Sequence, residues 1–127
     1  MKYRIYLVDD DHFLLDMYAV KFRAAGHDVV ACAGGEELLS TLKEKGAPDA
    51  ILLDIIMPGM DGFQVLEAIR KDNLVPDTTK IIVLSNQGQD ADIERATSLG
   101  ADGYIVKASA IPSEVLTETL RLIEKKA

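Results

Sequence analysis

The chain has one cysteine, no excess of positive charge and no hydrophobic run approaching membrane-spanning length. A lone Cys32 excludes an internal disulfide framework and fits a reducing compartment; its neighbours in "VVACA" mark it as a packed thiol. A formal net charge of −7 argues against direct nucleic-acid binding and against an anionic membrane as partner. It suits cations or basic patches on other proteins. The N-terminal "MKYRIYLVDDD" lacks a signal-peptide core, so the sequence reads as a soluble, cytoplasmic protein. No G-x-G-x-x-G follows the first apolar run, which removes dinucleotide binding. His12 and His27 have no partners at metal or triad spacing and read as surface or capping residues. No repeat, low-complexity tract or linker interrupts the chain. The 127 residues, 48% of them hydrophobic, therefore read as one domain over 1–127 with no output domain visible.

What is present is an alternation. Short apolar runs at 4–8 (RIYLV), 28–32 (DVVAC), 50–54 (AILLD), 80–85 (KIIVLS) and 103–107 (GYIVK) are nearly continuous in Val, Ile and Leu. That pattern belongs to parallel strands covered on both faces. Amphipathic stretches lie between them. Phe13, Met17, Val20 and Ala24 form one helical stripe, Leu38, Leu39 and Leu42 a second, and Val65, Leu66 and Ile69 a third. "DADIERATSLG" is the least apolar, and the last helix, opened by Pro112, carries Leu116, Leu120 and Ile123. The order predicts an α/β domain of five βα units, doubly wound with right-handed crossovers and helices on both faces of the sheet.

In such sheets, sites form beyond the carboxyl ends of the strands. There the chain places Asp9, Asp10 and Asp11 after the first run, Asp54 after the third, Ser85 after the fourth and Lys107 after the fifth. Taken singly, an Asp pair is a turn or a cap, the serine a turn residue and the lysine a surface cation. Taken in order at the ends of four strands of a five-stranded unit, they converge on one rim. Crowded carboxylates repel unless a cation neutralises them, and a hard octahedral ion such as Mg²⁺ suits oxygen donors. A carboxylate held beside a metal and an ammonium can attack a phosphoryl group, with Ser85 and Lys107 on the phosphoryl oxygens.

At this point the chain resembles the receiver domain of two-component response regulators. The matching residues are "LVDDD" (7–11), "LLDIIMPGMDGF" (52–63), "IIVLS" (81–85) and "GYIVK" (103–107), spread over essentially the whole chain. The resemblance implies a flavodoxin-like sheet of order 2-1-3-4-5. It implies that Asp54 takes a phosphoryl group from the phosphohistidine of a sensor histidine kinase or phosphotransfer protein. Asp10, Asp54 and the Ile56 carbonyl would hold Mg²⁺, with Asp9 acting mainly through water. Ser85 and Lys107 would bind the phosphoryl oxygens, and Tyr104 would turn inward as Ser85 and the loop to Asp90 move. Tyr104 has an equally simple reading as a half-buried strand residue with a wet hydroxyl. A downstream protein or output domain would read the change, with room for a phosphorylation-dependent homodimer through the fourth and fifth helices.

Two departures from the family pattern stand out. Ala108 follows Lys107 where the family usually has proline, so a trans bond and a rearranged "KASAIP" loop are expected. Asn86 stands where a very small residue is typical, and Ile56 offers no polar group to orient water; both predict a long-lived phosphoform. Two other function classes compete. A phosphatase of the haloacid-dehalogenase type would want an Asp at position 56, which is isoleucine here. A phosphorylation-independent interaction module would have no need of the acidic pair, the acceptor and the lysine together.

Overall fold

The computed structural model describes residues 2–86 and 88–125. The predicted switch loop 85–90 and the predicted last helix 111–126 each include a residue, 87 and 126, that lies outside the described residues. The elements alternate as β1 (Arg4–Val8), α1 (His12–Ala24), β2 (Asp28–Cys32), α2 (Gly35–Lys45), β3 (Ala50–Leu53), α3 (Gly62–Lys71), β4 (Lys80–Ser85), α4 (Asp90–Ser98), β5 (Gly103–Val106) and α5 (Pro112–Glu124). A single 3-10 turn over Lys107–Ser109 joins β5 to α5. The strands form one parallel sheet in the order β2-β1-β3-β4-β5. That is the expected doubly wound order.

The period of two along each strand sorts the core into two layers. Ile5 and Leu7 face α1 and α5, beside Leu52, Ile82 and Leu84. Tyr6 and Val8 face α2 and α3, where Leu38, Val65, Leu66 and Ile69 are fully buried. A smaller cluster joins Phe63 at the start of α3 to Ala96 of α4 and Val83 of β4. Cys32 is fully buried, as expected, with its thiol pushed up by burial.

Three readings need correction. In α1 the core face is Leu15, Tyr18, Ala19 and Phe22, while Phe13 and Val20 are 78% and 66% exposed and Ala24 is also exposed. The helix is apolar nearly all the way round, so periodicity alone could not choose its inner face. In α5 the fully buried residues are Val115, Thr119 and Leu122; of the predicted stripe, half-buried Leu116 and Ile123 pack at the margin of that same core and Leu120 is half-buried. Thr119 sits at the centre of that face because its hydroxyl donates to the Val115 carbonyl one turn back (2.8 Å). His27 is buried: its Nδ1 accepts the Tyr3 amide N–H (3.1 Å), and its ring stacks on that of Tyr3 at 5.6 Å. It holds the entry to β1 against the start of β2.

Candidate functional site

The ladder itself aims the two central carboxylates. The amide of Asp9 donates to Cys32 O (3.1 Å) and that of Asp54 to Val8 O (3.0 Å), so both residues continue the strand pairing one step past β1 and β3. Neighbouring strands lie about 5 Å apart, so side chains leaving adjacent strand ends must meet. Asp9, Asp54 and Ser85 are buried, at 5%, 7% and 1% exposure, whereas Asp10 reaches solvent. Asp11 lines the same pocket, but its carboxylate caps α1, accepting the Phe13 and Leu14 amides at 3.0 and 3.2 Å.

The turn after Asp54 explains the glycines and the aspartate of "MPGMDGF". Gly59 has φ +78°, a region that costs side-chain-bearing residues energy. Asp61 caps α3 through Gln64, and the Gln64 side chain returns to the Asp61 amide, both at 2.9 Å. Gly62 donates to Ile55 O (2.7 Å), and a Cβ there would collide with the Asp54 carbonyl oxygen. Only glycine lets α3 start this close to the acidic strand end.

Lys107 closes the pocket from β5. Its side chain is 7% exposed, with Nζ 2.6 Å from Asp9 Oδ2 and 3.7 Å from Asp54 Oδ2. Burial alone would lower its pKa, but the hydrogen bond to Asp9 and the charges of Asp54 and Asp9 outweigh it and hold the ammonium above its usual range. Asp54 is pushed up to about 6, chiefly by burial and further by Asp9 and Asp10, against the pull of Lys107 and the Ile55 amide. Asp9, Asp10 and Asp54 each offer an oxygen within 4.8 Å of the others. Three carboxylates without nitrogen or sulfur donors fit a hard divalent cation held by oxygen.

Tyr104 is half-buried against the Phe63 cluster and shares a hydrogen bond with Ser85, while burial raises its phenol pKa. Asn86 and Ile56, the latter 57% exposed, stand at the mouth of the pocket of about 280 Å³. The expected residues are thus brought together. Sequence reasoning had passed over Leu14, whose side chain also lines this pocket, because nothing about a leucine marks it as a site residue.

The sequence profile of the response regulator receiver domain matches residues 5–121. The chain belongs to this family. This receiver is 33% identical over 120 residues to the transcriptional regulatory protein AfsQ1 of Streptomyces coelicolor, covering 94% of this chain and 50% of the relative. It is 36% identical over 107 residues to the DNA-binding response regulator MtrA of Mycobacterium tuberculosis, covering 84% of this chain and 45% of that one. The chain thus spans about half the length of these relatives. Among solved structures, the Vibrio cholerae chemotaxis protein CheY4 superposes with a TM-score of 0.85 at 27% identity, over 96% of this chain and 99% of that one. The NarL receiver of M. tuberculosis gives 0.81 at 30% identity, over 98% of each chain. Among the described residues, no helix of the receiver is long and apolar enough to cross a membrane.

Proposed function

We propose that this receiver, over 1–127, is a phosphoacceptor in a two-component relay and that Asp54 takes the phosphoryl group. The observation that carries this reading is a buried carboxylate 3.7 Å from a buried ammonium, inside a three-carboxylate cluster. An Asp54 oxygen bonds to phosphorus as the phosphorus–nitrogen bond of a phosphohistidine breaks, and the imidazole leaves with its electron pair. Lys107 moves onto one phosphoryl oxygen and the Ser85 hydroxyl donates to another. Asp10, Asp54 and the Ile56 carbonyl would hold Mg²⁺, with Asp9 acting mainly through water. Bound there, the ion would offset the charge gathered on the transferring oxygens.

The donor is a sensor histidine kinase or a phosphotransfer protein. The exposed apolar side chains of Phe13 and Val20 on α1, with Ile56 and Ile111 near the pocket, give it a surface to dock on. Downstream, the added charge draws Ser85 and Lys107 inward, Tyr104 turns inward as Ser85 moves, and a partner protein or output domain reads the α4–β5–α5 side. The same side serves a phosphorylation-dependent homodimer. The receiver makes no direct contact with nucleic acid in this reading, and it works in the cytoplasm, where Cys32 stays reduced.

Intact mass after incubation with Mg²⁺ and acetyl phosphate tests the reading. One phosphoryl adduct, labile to hydroxylamine and absent from Asp54→Asn and from a metal-free control, is the expected result. No adduct in the wild type would leave a phosphorylation-independent module.

A further inference from the structure

Beside the acidic pocket lies a second concavity with a hydrogen-bonding group left unused. A groove of about 500 Å³ runs between Leu14, Met17 and Tyr18 of α1 and the stretch Ala110, Ile111 and Pro112 that leads into α5. The 3-10 turn over Lys107–Ser109 carries only small side chains after the lysine, with Ala108 where the family usually has proline. Side chains of that size leave the space beside α1 unfilled.

Tyr18 is 5% exposed, and among the described residues its hydroxyl makes no hydrogen bond. No side-chain oxygen of the described residues is shut off from solvent without a partner, so this hydroxyl opens onto the groove that Tyr18 lines. Burial raises its pKa and so keeps the proton on the oxygen, and of the two charges that act on it, that of Lys107 outweighs that of Asp9. A protonated phenol in such a field suits a partner that presents an acceptor oxygen.

The rest of the lining sets the class of ligand. Apolar walls around a few polar groups are the usual make-up of a small-molecule site, and the volume is in the usual range. A full negative charge does not suit it. The groove shares Leu14, Asn86 and Lys107 with the acidic pocket, where Asp9, Asp10, Asp11 and Asp54 gather around that lysine, and the chain carries −7 overall. We propose that the groove binds a small uncharged molecule with an apolar body and a carbonyl oxygen, and that Tyr18 is the residue that recognises the carbonyl. The body packs on Leu14, Met17 and Ile111 while the hydroxyl donates to the oxygen. This recognition needs neither metal nor phosphoryl group.

The test titrates acetophenone, ethylbenzene and benzoate into isotope-labelled wild type and Tyr18→Phe, without metal or phosphodonor, and reads affinities from amide shifts. The probes share a ring and differ in carrying a neutral carbonyl, no acceptor or a full charge. Acetophenone is expected to give saturable shifts at Leu14 to Tyr18 and Ala108 to Ile111. It should bind wild type about three- to tenfold more tightly than ethylbenzene, the factor that one hydrogen bond supplies. Tyr18→Phe should erase that preference while ethylbenzene binds both proteins alike, which verifies that the groove has kept its shape. An equal preference in the two proteins would overturn the role of Tyr18. Benzoate binding at least as tightly as acetophenone would overturn the uncharged class. Shifts that do not saturate, or that fall on other residues, would overturn the site itself.

Discussion

At the scale of single residues, the burial of Asp54 has a price visible in the pH dependence of stability. Its folded-state pKa of about 6 lies above the ordinary 3.8. Between those values the folded state holds more of the proton than the unfolded state, so stability falls as pH rises through that window. Above pH 6 the ionised carboxylate costs on the order of 1–3 kcal/mol. Asp54→Asn should therefore stabilise the metal-free receiver at pH 7.5 and make little difference at pH 3.5, as read by urea unfolding in chelator. A variant less stable than wild type at pH 7.5 would contradict this account. Asn86 and Ile56 make a second prediction. Asn86→Ala opens the mouth of the pocket, and Ile56→Asn supplies a group to orient water. Each should shorten the phosphoform's life several-fold in an intact-mass time course.

Gly62 makes a third prediction at the same scale. A methyl group there meets the Asp54 carbonyl and comes within 2.7 Å of Ile55 Cα, both backbone atoms that cannot step aside. Gly62→Ala should cost about 1–3 kcal/mol or more and lower the phosphorylation rate, because relief of the clash moves the acceptor. Normal stability together with normal phosphorylation would show that α3 can start farther out.

At the scale of elements, α1 separates two jobs that its sequence blends. Leu15, Tyr18, Ala19 and Phe22 fill the layer under β1, while Phe13 and Val20 face outward. Phe22→Ala should destabilise by about 3–5 kcal/mol. Phe13→Ser should change stability by roughly 0.5 kcal/mol or less. If the outer face docks the donor, Phe13→Ser slows transfer from a kinase yet leaves labelling by acetyl phosphate at the wild-type rate. Equal loss with both donors would place the fault in the pocket instead.

The open edge of the sheet shows a similar economy. β2 pairs only with β1, and the Arg23 guanidinium donates to Val29 O at 3.0 Å, engaging one acceptor on this edge strand. Between α3 and α4, the Arg95 guanidinium lies 4.1 Å from the centre of the Phe63 ring. Phe63 follows Gly62 directly, so this contact ties the start of α3 to α4. Ala96 is the only buried residue of α4, which leaves the helix lightly held.

For the whole molecule, the layers were legible where polarity and period agree. The five strands stood out because Val, Ile and Leu run almost unbroken through them. The rim was legible because its residues sit at strand ends, where a parallel sheet must bring them together. Departures from this clarity have physical causes. Thr41 and Thr119 are polar by type yet buried, since each returns its hydroxyl to a carbonyl one turn back at 2.8 Å. His27 read as a surface or capping residue because its partner, the Tyr3 amide, lies 24 positions away.

By itself, then, the sequence determined the alternation of strands and helices, the tight turn after Asp54 and the set of charges at the rim. These depend on local chemistry: side-chain period, caps and the steric needs of glycine. The tertiary structure decided which face of α1 and α5 turns inward and which oxygen of Asp9 meets Lys107. It also set how far burial raises Asp54. Those depend on groups distant in the chain but adjacent in space, whose mutual desolvation no local pattern encodes.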